Sequence, residues 1–394
     1  MKETKIKLIE KSYKFRIYPN QETKDYINYN INGSRFIFNQ IKAKYENDRD
    51  MIKQLTNSNK VNYFLNRKIA NIYLNQIREE QDFLEDMGST GRQCAYEGLI
   101  SAFRNISKIN NGYVHWKSKK NSVQNYKSKN VNNSIKIVDG KLKLPKIKNT
   151  IRMKYSRKID GKILSATVSN ENNKYFVSIN VSKSISKQLP KTGKVVGIDL
   201  GIKNTIVTSD NFKSGKIIFN KLDEKISRLN QILSCRKLGS KNWHKTKTKL
   251  NKAYSKKKNT IHDFLHKTTT KIVNQYDEIF VGDVNSQFTL KNKHLAKSGA
   301  DAHWFEIKRQ LQYKSYWYGR KFKIVNESYT SRTCSSCGYL HKDFNLNIRE
   351  WNCPACEVSH DRDINAAINI RTVGITGIAF GKTNNIVSGL GIHD

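Results

Sequence analysis

Two Cys-x-x-Cys pairs near the C-terminal end constrain this chain more than any other feature. Cys334 and Cys337 form one pair, Cys353 and Cys356 the other, with fifteen residues between them. Four thiolates at this spacing fit a tetrahedral zinc site. In a reducing compartment such pairs bind metal rather than form disulfides. Zinc would fold a small ribbon that has no other means of holding together, a structural role. His360 is a further candidate ligand, although four thiolates already complete the tetrahedron. Cys94 and Cys235 stand alone in helical stretches and read as small buried thiols.

Charge sets the partner class. The 394 residues carry 72 Lys and Arg against 33 Asp and Glu, a net charge of +39, with 10% aromatics. That is the footprint of a nucleic-acid binder. No apolar run reaches the length of about eighteen residues that marks a membrane span, so no membrane partner is expected. The first twenty residues lack the apolar core of a signal peptide. The expected location is the cytoplasm of a bacterium, in association with the nucleoid.

Hydrophobic periodicity divides the chain. Residues 5–19 alternate like a strand or hairpin, ended by Pro19. Residues 21–109 read as helix, with a break at Gly88–Gly91 and a last helix from Gln93 to Ile109. Residues 114–165 hold fifteen Lys or Arg and two acids, and Lys117, Lys119 and Lys120 are candidate phosphate contacts. Short strands follow at Ser134–Val138, Leu142–Leu144, Ser165–Val168 and Lys174–Val181. They suggest a small β-barrel shared with residues 5–19. Gln188–Lys194 reads as a linker. Val195–Leu200, Thr205–Ser209 and Lys216–Phe219 then form a three-stranded meander. Helices follow at Leu222–Ser234 and Lys241–Tyr276, a strand at Glu278–Val284, a helix at Ala300–Tyr318, a strand at Lys321–Val325 and a helix at Asp363–Ile370. The Gly- and Asn-containing tail has no clear period and is expected to be poorly ordered. The order of these elements is that of an RNase H-like α/β fold. In the second helix of this half, residues 236–258 hold ten Lys or Arg and no acid. Lys245, Lys247, Lys249, Lys252, Lys256, Lys257 and Lys258 are candidates to grip an RNA or heteroduplex backbone.

Metal-dependent phosphodiester hydrolysis needs carboxylates converging on two ions about 3.5–4 Å apart. Asp199 ends an apolar strand between Gly197 and Gly201, which leave room for close backbone approach. Asp363 opens a helix whose Ala366 and Ala367 allow tight packing on a sheet, while Asp361 suits the N-cap.

The segments Gly197-Ile198-Asp199-Leu200-Gly201, Tyr329-Thr330-Ser331-Arg332-Thr333-Cys334-Ser335-Ser336-Cys337-Gly338 and His360-Asp361-Arg362-Asp363-Ile364-Asn365-Ala366-Ala367 resemble TnpB. Tyr13-Lys14-Phe15-Arg16-Ile17-Tyr18-Pro19 resembles that family's opening. TnpB proteins are transposon-encoded, RNA-guided DNA nucleases related to type V CRISPR effectors. The resemblance implies a β-barrel wedge domain over 1–20 and 111–190 and a helical recognition domain over 21–110. It also implies a RuvC nuclease over 194–330 and 359–394, interrupted by a zinc ribbon at 331–358. Its implied partners are a guide RNA from the transposon end and double-stranded target DNA with a short flanking motif. One chain per RNA is expected, with a dimer as the alternative.

The sequence departs from the family at one position. Where the middle strand usually ends in Glu-Asp-Leu, this chain has Gly282-Asp283-Val284. Either the nuclease is dead, leaving an RNA-guided repressor, or another carboxylate substitutes. Glu327, at the end of the next strand, is the favoured substitute and Asp283 the second choice. The expected magnesium ligands are therefore Asp199, Glu327 and Asp363. A compact type V CRISPR effector is a further alternative, and a strand-transfer transposase is disfavoured.

Overall fold

The computed structural model describes residues 8–56, 64–107, 112–184, 188–284, 303–341 and 348–380. The chain divides into two units, Met1–Ser184 and Ile185–Asp394.

The first unit opens with β1 (Leu8–Tyr18), whose alternate residues Tyr13, Phe15 and Ile17 are buried. Three helices follow, α1 (Gln21–Thr56), α2 (Arg67–Glu80) and α3 (Ser89–Ser107). Asn20 and Asn66 cap α1 and α2 by accepting from the backbone N–H groups of Thr23 and Ile69. The helices share a core of Ile37, Ile41, Leu74, Ile77, Leu84 and Leu99. α3 begins at Ser89, so the expected break at Gly88–Gly91 is shorter than predicted.

Strands β2 (Val123–Lys129), β6 (Lys162–Glu171), β7 (Lys174–Ser184), β1 and β5 (Arg152–Met153) form one sheet in that order. In place of a closed barrel this sheet is open in its hydrogen bonding. β2 and β5 are its edges, and β5, two residues long, is too short to carry the ladder further. Strands β3 (Lys136–Val138) and β4 (Lys141–Lys143) form a separate hairpin, linked to the β5 region through the Leu142–Ile151 bridge. Sequence reading missed β2 because only Tyr126 and Ser128 of its seven residues are buried, so the strand shows no apolar alternation.

In the second unit, β8 (Val195–Asp199), β10 (Glu278–Gly282) and β11 (Lys321–Val325) are parallel, and β9 (Val207–Thr208) runs antiparallel to β8. The order is β11-β10-β8-β9. Helices α4 (Asn220–Ser234) and α5 (Lys241–Gln275) connect β9 to β10, and α6 (Trp304–Tyr318) connects β10 to β11. Residues 300–302 of the expected third helix lie outside the described residues. The third meander strand, Lys216–Phe219, is not formed. Gly215 turns the chain with φ +69°, and Ile217 and Phe219 pack against the core from a loop instead. Cys235, expected to be buried, is exposed at the C-terminal cap of α4.

The period-2 alternation of the strands divides their contacts between two faces. Val196, Ile198, Ile279 and Val281 pack with α5 and α6 residues such as Leu265, Ile272, Ile307 and Leu311. Phe280 and Val325 pack with Ile370 and Val373 of α7 (Arg362–Thr376). A Cβ at Gly197 would collide with the backbone of Ala367 and Arg371, so only glycine lets α7 lie this close to β8. α7 runs six residues past the expected Ile370, into the segment read as tail; residues 381–394 lie outside the described residues.

Candidate functional site

The same alternation brings the acidic residues together. Gly197, Asp199, Phe280, Gly282 and Val325 all belong to the α7 side of the sheet. The parallel register pairs Val281 with Ile198 and Gly282 with Val325, so Asp199, Gly282 and Val325 stand level at the strand ends. Asp363 lies in the first turn of α7, on that side. Asp361 caps the helix, accepting from the N–H groups of Asp363 and Ile364, both at 3.0 Å. It is tied to Lys213 by a 2.6 Å ion pair. This leaves Asp363 free of the capping role, as its position in the motif predicts.

Glu327 follows Val325 by two residues and leans back over Gly282. A Cβ built on Gly282 would overlap Glu327 Oε2 and lie 3.2 Å from Glu327 Cβ and from Ile370 Cδ1. The glutamate therefore fills the volume that a side chain at 282 would need. Its backbone is fixed from two directions. Glu327 N–H donates to Asp283 Oδ1 at 3.1 Å, and its carbonyl accepts from Thr330 Oγ1 at 2.7 Å. Asp283 itself is exposed, and one of its oxygens is occupied by that contact, so the two carboxylates have different work.

Burial, then the negative charges of Glu327 and Asp363, push the Asp199 carboxyl up to about 7. Burial and the neighbouring Asp283 push Glu327 up to about 7 as well. Such clustered, mutually repelling carboxylates fit a site completed by a cation, and their oxygens are the right donors for magnesium. Asp363 is neutralised differently, by Arg349 at 3.1 Å and Arg362 at 2.9 Å. Among the described residues the four cysteines are the one group of three or more whose ligand atoms all lie within 4.8 Å of one another, so the three carboxylates are more widely spread than a single-ion cage.

A pH dependence follows. Between the ordinary carboxyl values near 4 and the raised values near 7, the folded protein binds more protons than the unfolded chain. Its metal-free stability therefore falls as pH rises through that window. Above 7 the ionised pair is ready for a cation. The rise in melting temperature on adding magnesium should be larger at pH 8 than at pH 6, and an Asp199→Asn, Glu327→Gln double variant should lose that difference. Equal rises at both pH values would contradict it.

Sequence reading missed several supports. Lys308 donates to the Val284 carbonyl at 3.2 Å and faces Glu327 and Asp283. Asn365 and Asn369, one helical turn apart on α7, both donate to the carbonyls of Thr330 and Thr333, at 2.7–3.2 Å. Asn365 also accepts from Ser335 N–H at 2.9 Å. Through these bonds the helix that carries Asp363 holds the segment that joins Glu327 to Cys334. The i, i+4 asparagine pair was the available signal.

The cysteine pairs form two matching knuckles. Gly338 N–H donates to the Cys334 carbonyl at 2.9 Å, and Glu357 N–H to the Cys353 carbonyl at 2.8 Å. Gly338 and Glu357 both take positive φ. Cys334 and Cys356 Sγ are 3.6 Å apart, as are Cys337 and Cys353 Sγ. Zinc–sulfur bonds of about 2.3 Å in a tetrahedron require about 3.8 Å, so the quartet fits zinc. His360 Nε2 lies 3.0 Å from Cys334 Sγ, the distance of a donor to a thiolate rather than of a fellow ligand. Short strands β12 (Glu350–Asn352) and β13 (Ser359–Asp361) pair beside it. Purified protein should contain about one zinc per chain; a folded preparation without zinc would contradict this.

The basic candidates fall into two groups. On α5, Lys245, Lys249, Lys252 and Lys256 are exposed and share one face by their 4-3-4 spacing, with Lys258 also exposed. Lys247 is half-buried, 6.0 Å from the Trp243 ring. Lys257 pairs with Asp223 at 3.0 Å and ties α5 to α4, so it is less available. In the first unit Lys119 and Lys120 are exposed, and Lys117 lies 4.2 Å from the Phe38 ring.

Three family profiles match the chain: a helix-turn-helix domain over residues 9–50, a probable transposase over 175–292 and a Cas12f1-like TNB domain over 304–370. Residues 9–50 fold here as β1 and most of α1. A Streptomyces pristinaespiralis protein, provisionally named an RNA-guided DNA endonuclease, is 27% identical over 95% of this chain and 91% of its own length. An Escherichia coli K12 protein, provisionally named the RNA-guided DNA endonuclease InsQ, is 26% identical over 94% of each. A mimivirus TnpB-like protein is 30% identical over 45% of this chain and 37% of its own length. The chain of a Cas12f1–sgRNA–target DNA complex aligns at 15% identity and a TM-score of 0.49, covering 92% of this chain and 99% of that one. By these matches the chain is similar over nearly its whole length to proteins provisionally named RNA-guided DNA endonucleases, and over part of it to TnpB-like proteins.

Proposed function

We propose that this protein is an RNA-guided DNA endonuclease with a rearranged acidic site of Asp199, Glu327 and Asp363. The observation that carries the reading is the seating of Glu327 over Gly282, level with Asp199 and beside Ile370 of α7. A longer acid placed two residues further along a neighbouring strand reaches the volume left by the missing side chain.

In this reading the second unit is an RNase H-like RuvC nuclease interrupted by the zinc ribbon. The first unit supplies the wedge and recognition elements that hold a guide RNA from the transposon end. Target DNA is read by pairing with the guide, and the protein reads backbone shape and a short flanking motif. Magnesium bound between the carboxylates would activate a water and stabilise the leaving oxygen. The chain's own residues prepare that chemistry. Asp283 positions Glu327 by accepting its N–H. Asn365 and Asn369 fix the Glu327–Cys334 segment to α7. Arg349 and Arg362 hold the Asp363 carboxylate, and Lys308 offsets the charge of Glu327 and Asp283. The exposed lysine stripe on α5 contacts nucleic-acid phosphates.

The test is cleavage of double-stranded DNA matching the guide, by protein copurified with its RNA. Cutting that requires added magnesium is expected. Guided binding without cutting would instead make the protein a repressor-like binder.

A further inference from the structure

In the first unit, a lysine with no role in the nuclease is buried beneath exposed aromatic rings. Lys42 of α1 has a side chain 0% exposed. Its ammonium pairs with Glu46 at 2.5 Å and donates to Tyr113 Oη at 3.1 Å. It also lies 3.8 Å from the Trp116 ring and 4.7 Å from the Tyr113 ring. Burying a charge is costly unless its partners are fixed; Glu46 is fixed on α1 itself, whereas the two aromatic partners belong to a segment without regular structure. Asn39 holds that segment with two bonds to the backbone of Lys117, donating at 3.0 Å and accepting at 2.9 Å. Val114 is buried in the helical core. Gln124 pins the following turn by donating to the Ser118 and Asn121 carbonyls, both at 2.9 Å.

These anchors fix the rings without covering them. Tyr113 is 54% exposed and Trp116 48%, with exposed His115 packed edge-on to Tyr113 at 5.4 Å. Lys119 and Lys120 stand exposed just beyond. A rigid, open aromatic surface flanked by cations is what an unstacked nucleobase requires: a π face to stack on, with charge for the adjoining phosphates. Duplex DNA presents its bases already stacked, whereas folded RNA displays unpaired bases in loops and at ends.

We propose that Trp116, with Tyr113 and His115 around it and Lys42 fixing it from beneath, is a stacking platform for an unpaired RNA base. This goes beyond the nuclease reading and does not depend on it.

The test uses full-length protein freed of copurified nucleic acid, in magnesium-free buffer. Its probes are a short labelled oligouridylate and the same oligomer with abasic sites, titrated at several salt concentrations. Trp116→Ala should weaken binding of the intact RNA about tenfold and Trp116→Phe by only about threefold, as expected for lost and partly kept stacking. The slope of log affinity against log salt should stay unchanged, because no charge is removed, whereas Lys119→Gln, Lys120→Gln should flatten it. Wild type and Trp116→Ala should bind the abasic oligomer alike. The proposal is overturned if Trp116→Ala binds intact RNA like wild type. It is overturned equally if the loss persists on abasic RNA, which would mark a structural role, or if only a matched oligothymidylate DNA depends on Trp116.

Discussion

Glu327→Gln should reduce guided DNA cleavage by at least about a hundredfold, the scale of losing one fixed charge from a metal-dependent phosphoryl-transfer site. The amide keeps the shape that fills the space over Gly282, so the fold has no reason to change. What it loses is the negative charge that the cluster contributes to a cation. Asp199→Ala and Asp363→Ala should abolish cutting while leaving guided DNA binding in place, because neither residue takes part in reading sequence. Asp283→Asn should behave differently. Its remaining amide oxygen can still accept from Glu327 N–H, the contact seen at 3.1 Å. A change of only a few-fold is expected from a substitution that keeps this hydrogen bond. Cleavage rates of the four variants against one target rank the carboxylates directly. Loss in Asp283→Asn with retention in Glu327→Gln would exchange their roles.

Much of this architecture was legible in residue order. Apolar runs bounded by turn residues placed β8, β10 and β11, and the glycine at 197 announced the close approach of α7. The paired cysteines announced their own cluster. Other features were hidden for physical reasons. Strand β2 is stabilised by its ladder to β6 rather than by apolar alternation, so it reads as a polar, basic loop. The predicted strand at Lys216–Phe219 had the right residue types, but its apolar side chains are buried from a loop. At the site, Glu327 was identifiable as an unusual acid at a strand end. That it bends back over Gly282 depends on tertiary register, which sequence does not carry. The ion pair of Asp363 with Arg349, and the asparagine bonds to Thr330 and Thr333, likewise arise only when separate segments meet.

The relation between positions 282 and 327 is the centre of this account, and moving the glutamate tests it most directly. In wild type, a side chain at 282 would meet the Glu327 carboxylate, so Gly282→Glu alone places two acids in one volume and should lose stability and cutting. Glu327→Ala vacates that volume and should cut at least about a hundredfold more slowly than wild type. Adding Gly282→Glu to it returns a carboxylate from the middle strand. Ile370 Cδ1 and the Cβ that Glu327→Ala keeps, each 3.2 Å from the new Cβ, then have to give by a few tenths of an ångström, which the tip of an isoleucine and a residue beyond the strand end can do. The decisive measurement is the cleavage rate of the Gly282→Glu, Glu327→Ala double variant beside Glu327→Ala alone, with the same RNA, target and magnesium. The account predicts that the single variant is nearly inactive and that the double variant regains cutting by at least about tenfold. Wild-type cutting by Glu327→Ala alone would contradict it.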